Sequence, residues 1–170
     1  VNFYAKQFSW DLITSANIKQ KFMDFVNQMD MSFSYKPVLL KAIFDFVDED
    51  GNVRICDIVE YFKDFYETRK EQGLIEEKAT SIFQKGGYSD KDVERNILSN
   101  PFKRFADMRF LQRCKDVSMI RINPIIFKKL TVEDKEIFVE SLYSSDVGHN
   151  HFLCVNSEIS ANTERDVYGL

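Results

Sequence analysis

The stretch from Ser34 to Gly73, SYKPVLLKAIFDFVDEDGNVRICDIVEYFKDFYETRKEQG, constrains the fold more than any other part of the chain. Pro37 suits the first turn of a helix, where its missing N–H leaves no donor unsatisfied. From there Leu40, Ile43, Phe44 and Val47 recur at the i, i+3, i+4, i+7 spacing of one helical face. Leu39 and Phe46 widen that face until the helix is apolar almost all round, which predicts a central, buried helix. Glu49-Asp50-Gly51 stops it, with Gly51 free to take a positive φ. Val53 and Ile55 then alternate with Asn52 and Arg54, as in a half-exposed strand. Asp57 is placed to cap a second helix that presents Ile58, Phe62, Phe65, Tyr66 and Arg69 and closes at Gly73.

The flanking segments read as further short helices and one hairpin. Residues 1–13 are aromatic-rich and irregular. A helix is expected from a cap at Thr14 or Ser15, burying Ile18, Phe22, Phe25, Val26 and Met29 as core. Beyond Gly73 a short helix is predicted around Ala79, Ile82 and Phe83, ended by Gly86-Gly87. Ser89 with Asp92 three residues on forms a capping-box pattern for a helix carrying Val93, Ile97 and Leu98, which stops at Asn100-Pro101. Phe102 and Phe105 anchor another turn of helix. Phe110–Lys115 and Met119–Ile122 read as two strands joined by Asp116-Val117-Ser118. Ile125, Ile126, Phe127 and Leu130 bury one short helix, and Thr131 caps a last one with Ile137, Phe138 and Leu142 inward. Helix, helix, strand, helix, helix and a basic hairpin is the order of a winged-helix domain. The fold class expected is therefore α+β and mostly helical, a single winged-helix-like domain over 1–143 with a small antiparallel sheet. The strand at Val53–Ile55 would pair with the hairpin, and 144–170 would be a weakly structured tail.

Charge is unevenly spread along the 170 residues, although the net is only −4. Asp45 to Glu77 holds eleven acidic and four basic residues, and Thr131 to Leu170 eight acidic and two basic. Between them, Pro101 to Leu130 carries eight basic residues, Lys103, Arg104, Arg109, Arg113, Lys115, Arg121, Lys128 and Lys129, against Asp107 and Asp116. A basic block of this kind is either a phosphate-binding footprint or a surface docked on the chain's own acidic parts. In the strand Phe110–Lys115, alternation sets Arg113 and Lys115 on one face, opposite Gln112 and Cys114.

Catalytic and metal chemistry find no support in the pattern. Asp48, Asp50, Gly51, Val53 and Asp57 imitate a calcium loop, but its first ligand position falls on Phe46 and its bidentate Glu is replaced by Asp57. His149 and His151 in GHNHF, with Cys154 and Asp146 nearby, make a surface segment rather than a complete ligand set. Glu133-Asp134-Lys135 follows the Thr131 cap, where carboxylates favour a helix start electrostatically. No Ser or Cys has a histidine partner, and no glycine-rich phosphate loop follows a strand, so neither an active site nor a cofactor is expected. Cys56, Cys114 and Cys154 include no CxxC pair, which points to a reducing, cytoplasmic compartment. No apolar run approaches the roughly 20 residues of a membrane span, and VNFYAKQFSW does not read as a secretory signal. Val1 in place of an initiator Met is the start expected of a piece from a longer polypeptide.

The segment SYKPVLLKAIFDFVDEDGNVRICDIVEYFKDFY resembles a module of bacterial restriction and helicase-type defence proteins, in which a (Y/H)-K-P-V-L-L start opens a winged-helix-like domain. The resemblance covers about residues 34–66. It implies an accessory domain for DNA engagement or subunit contact, with catalysis elsewhere in a larger protein. Asp90 to Ser99 departs from a major-groove helix by mixing Asp90, Asp92 and Glu94 with Lys91 and Arg95, so the basic hairpin is the better candidate for nucleic-acid contact. Two function classes follow: a non-catalytic module that engages nucleic acid through the basic segment, and a protein–protein interaction domain of a larger assembly.

Overall fold

Helix α1 (Ile18–Asn27) opens the described part of the chain and buries Ile18, Phe22 and Val26, one side of three turns. The structure, a computed structural model, describes residues 12–28, 34–73 and 80–134. The cap of α1 is Asn17 rather than Thr14 or Ser15. Its Oδ1 accepts the Thr14 N–H at 2.7 Å, folding the residues before the helix into a turn. Met29, Ala79 and the segments 1–11 and 135–170 lie outside the described residues, and with them the N-terminal irregular segment, most of the helix expected after Thr131, and the tail. The chain divides into two compact units, Val1–Thr131 and Val132–Leu170; of the second only residues 132–134 are described.

Helix α2 (Tyr35–Phe46) is the centre of the first unit. Val38, Leu39, Leu40, Ala42 and Ile43 are all buried, which is the all-round burial that its apolar sequence demands. Phe44 is only half-buried, and Phe46, expected to widen the buried face, is 45% exposed. Phe46 is the last helical residue, beyond the reach of the core, and its ring lies edge-on to Tyr61 at 6.0 Å. Helix α3 (Ile55–Glu71) packs along α2 and buries Ile55, Ile58, Val59, Phe62, Tyr66 and Arg69. Phe65 stays half-buried, with the Arg69 guanidinium 5.6 Å over its ring. Two aromatic nests flank α2. In one, Tyr66 stacks on Phe83 at 4.0 Å while Tyr35 meets both edge-on. In the other, Phe22 and Phe25 of α1 meet Phe110 edge-on, and Phe25 also meets Phe105.

Between α2 and α3 the chain turns through Asp48–Gly51 into strand β1 (Asn52–Arg54). The Asp48 carboxylate is what holds this turn. It accepts the backbone N–H of Asp50 at 3.0 Å and that of Asn52 at 2.7 Å. Ile55, expected in the strand, is instead the first residue of α3, and Asp57 is not its cap. The reason is the hairpin: the Ile55 N–H, an orphan donor of the first helical turn, is taken by the Ser118 carbonyl at 3.0 Å. Asp57 sits in the first turn and receives both Nε and Nη2 of Arg54, at 2.8 and 2.6 Å.

Short helix α4 (Ile82–Lys85) is capped by Ser81, whose hydroxyl accepts the Phe83 N–H, and ends at Gly86 with φ 69°. Helix α5 (Asp90–Ser99) starts from the capping box that Ser89 and Asp92 spell out, and buries Val93 and Ile97. Asn100 breaks it and Pro101 begins α6 (Pro101–Asp107), which buries Phe102 and Phe105. Strands β2 (Leu111–Cys114) and β3 (Met119–Ile122) form the hairpin, and α7 (Pro124–Lys129) closes the unit against α1 and β3. The three strands form an antiparallel sheet in the order β1-β3-β2, so the first strand pairs with the hairpin as expected. The fold is α+β: mostly helical, with one small antiparallel sheet.

The two structural carboxylates give the fold an acid limit. Hydrogen bonds from Asn52 and its neighbours hold Asp48 below the usual carboxylate range, and bonds from Ser89 do the same for Asp92. A depressed folded-state pKa contributes stability that is complete above the unfolded value of 3.8 and disappears as pH falls through the folded one. The melting temperature is therefore expected to fall as acid is added below about pH 4. Asp92→Asn should blunt that fall in a pH series of thermal melts; an unchanged profile would mean that the box contributes nothing through ionisation.

Candidate nucleic-acid interface

The eight basic residues of 101–130 do not form one cluster. Sheet register separates them first. Arg113 is opposite Ile120 and so lies on the inner face at the β2 edge, whereas Arg121, opposite Asn52 and Gln112, lies on the outer face. The strand ends at Cys114, and Lys115 begins a 3₁₀ turn, Lys115–Val117. The expected alternation therefore holds for Arg113 and stops before Lys115. Arg109 sits at the other end of β2, just after α6, in the left-handed region with φ 60°. Its carbonyl accepts Asn123 Nδ2 at 3.0 Å, which places it beside the start of α7. Lys128 and Lys129 occupy the last turn of α7, where cations suit the negative end of the helix.

Partners separate them again. Lys103 is paired with Asp107 at 2.7 Å, Arg113 with Glu94 at 3.1 Å, and Arg121 donates Nε to Asn52 Oδ1 at 2.6 Å. Lys129 donates to the Ser15 carbonyl at 2.9 Å. Arg104, Arg109, Lys115 and Lys128 make no side-chain hydrogen bond or ion pair among the described residues. None of the eight is ion-paired with a carboxylate of the 45–77 block among the described residues; the basic segment meets that block through backbone pairing of β3 with β1 and through Arg121 on Asn52. Asn52 anchors Arg121 while donating Nδ2 to the Asp48 carboxylate at 3.2 Å, a relay that leaves the two terminal nitrogens of Arg121 without a bond among the described residues.

Among the described residues, a concave feature is built beside the hairpin. A groove of about 430 Å³ lies between α5 and β2, lined by Lys91, Glu94, Arg95, Leu98, Ser99 and Arg113. No family model matches the chain, and neither the curated proteins nor the solved structures compared with it give a match. Three cations and one carboxylate line the groove; Lys91 has no partner among the described residues, and Arg95 reaches back to Asp92 at 3.1 Å. Lys91 and Arg95 are the residues that reading the 101–130 block alone misses. Their i, i+4 spacing on a helix whose other side carries Val93 and Ile97 is the signal that places both on the exposed side. The arrangement offers positive charge and donors, with the Glu94 carboxylate and Ser99 among them. Among the described residues, no three His, Cys, Asp or Glu converge on a metal position, and no helix is long and apolar enough to cross a membrane. His149, His151 and Cys154 lie outside the described residues, as does Lys135 of the Glu133-Asp134-Lys135 triplet.

Proposed function

We propose that the chain is a non-catalytic, winged-helix-like accessory module that engages nucleic acid through its phosphates, using the hairpin turn at Lys115 and the exposed side of α5. The observation that carries this reading is the juxtaposition of α5 and the hairpin around one groove with three cationic side chains, in a sheet of order β1-β3-β2. Helix α5 and the hairpin, with α6 between them in the chain, come together through Arg113 and Glu94, and a helix and hairpin side by side are how a winged helix would meet a duplex. Lys115 heads the hairpin turn, exposed and without a side-chain partner among the described residues. Contacts of this type position a protein on the backbone and read little sequence. The free thiols Cys56 and Cys114 suit a reducing, cytoplasmic setting, and the module would serve a larger DNA-processing or defence protein.

Fluorescence anisotropy with short single- and double-stranded DNA across a salt series tests it. Binding is expected at about 50 mM salt and should weaken steeply as salt rises, because each neutralised phosphate releases counterions. Exchanging Lys91 and Lys115 together for Glu breaks no ion pair, so the melting temperature should hold. The same exchange should weaken binding at least tenfold and flatten the salt slope by about 0.9 per lost contact. Absence of binding by the unaltered chain at that salt sinks the reading. The alternative, docking of another polypeptide, would then lead.

A further inference from the structure

We infer that the groove between α5 and β2 is a seat for a phosphate group in which Glu94 is a built-in competitor, holding Arg113 until a phosphate displaces it. This rests on the nucleic-acid reading and adds to it the residues that receive one phosphate and the contact that limits their affinity. Arg113 sits on an edge strand with its side chain on the inner face, yet it meets α5 through one bond only, Nη2 to Glu94 Oε1 at 3.1 Å. The remaining donors of its planar fork make no hydrogen bond among the described residues. A guanidinium holding a carboxylate through one nitrogen is poised for an anion that offers two oxygens, and phosphate geometry matches the fork.

The competitor is exchangeable. The two side chains are 36% and 37% exposed, so water reaches the pair, and pairs of this exposure are among the weakest contacts in a folded chain. Among the described residues Glu94 is also the only carboxylate lining the groove, with Lys91, Arg95 and Arg113 around it. Lys91 and Arg95 approach from the helix, so an anion at Arg113 would be met from the strand and from α5 together. Leu98 and Ser99 complete the lining, and neither opposes an anion.

The test compares the full chain with Glu94→Gln and with Glu94→Gln combined with Arg113→Gln, using a short DNA duplex and, separately, sodium tripolyphosphate. Glu94→Gln is expected to bind the duplex about five- to tenfold more tightly at about 100 mM salt, with a slope steeper by about one unit, and the added Arg113→Gln should remove the gain. Tripolyphosphate should shift the Arg113 Nε–H resonance, at lower concentration in Glu94→Gln than in the unaltered chain. If the duplex binds but Glu94→Gln brings no gain, the competitor role is overturned while the nucleic-acid reading stands. If no variant binds DNA yet tripolyphosphate moves Arg113 more readily in Glu94→Gln, the seat stands as a phosphate site and the nucleic-acid reading falls. A tripolyphosphate shift that ignores residue 94 is an adventitious ion only and overturns the inference, as does no shift with no gain.

Discussion

Replacing Phe62 by Ala should lower the unfolding free energy by about 3–5 kcal/mol, the range for deleting a buried aromatic ring. Phe62 is fully buried, and its ring lies 6.5 Å from Tyr35, 6.2 Å from Tyr66 and 6.4 Å from Phe83. The loss has two parts, the transfer of the ring's apolar surface and the cavity left among neighbours that cannot collapse. Those neighbours are pinned: the Tyr35 hydroxyl is 2.7 Å from that of buried Ser81, and the Tyr66 hydroxyl 2.6 Å from that of Ser34. Hydrogen-bonded rings do not slide inward to fill a void, so the upper half of the range is expected. Urea melts measure it, with Phe46→Ala as the exposed comparison at under about 1 kcal/mol. A cost for Phe62→Ala below about 1.5 kcal/mol would show that this aromatic nest is not part of the core.

Gly51→Ala should cost about 2–3 kcal/mol, although it adds a single methyl to one turn. Gly51 has φ +83°, a conformation that side chains rarely adopt. The added Cβ would also stand 3.1 Å from Cδ1 and Cγ of Phe127, so the ring of α7 must give way. The backbone has little freedom to rotate out of the conflict, because the Gly51 carbonyl accepts the Ile122 N–H at 2.9 Å and the Gly51 N–H bonds Asp48. Phe127→Leu would relieve the contact but not the dihedral, so the double variant should recover only part of the loss. Full recovery would assign the whole effect to crowding; a cost under about 0.5 kcal/mol for Gly51→Ala alone would show the turn to be pliable.

Much of this fold was legible because its signals are local. The apolar run of α2, the Ser89–Asp92 box, the Asn100-Pro101 stop and the glycines after Lys85 each act within a few residues, and each falls where periodicity and turn chemistry place it. The errors sit where a distant residue decides. Ile55 looks like strand until the Ser118 carbonyl takes its N–H. Phe46 looks like core until the helix ends under it. Lys115 continues an alternating pattern that the chain abandons for a 3₁₀ turn, which no residue between Phe110 and Lys115 announces. The charge map behaves likewise. Counting charges finds the basic block, but only the register shows Arg113 and Arg121 on opposite faces, and only the packing of α5 brings Lys91 and Arg95 beside Arg113.

The pairing of β1 with β3 has a kinetic consequence. Asn52 and Arg121 are 69 positions apart, and α3, α4, α5 and α6 all lie between them. The β2–β3 hairpin and the helices can organise from near neighbours, but closing β1 onto β3 requires the loop spanning them to be already compact. A strand of three residues offers little reward until that happens. The sheet is thus a latch that shuts late, joining the α2–β1–α3 half of the chain to the hairpin only after the helices between have found their places. An incompletely folded chain would carry the hairpin with the β3 edge open, a strand edge able to pair with another molecule before its own β1 arrives.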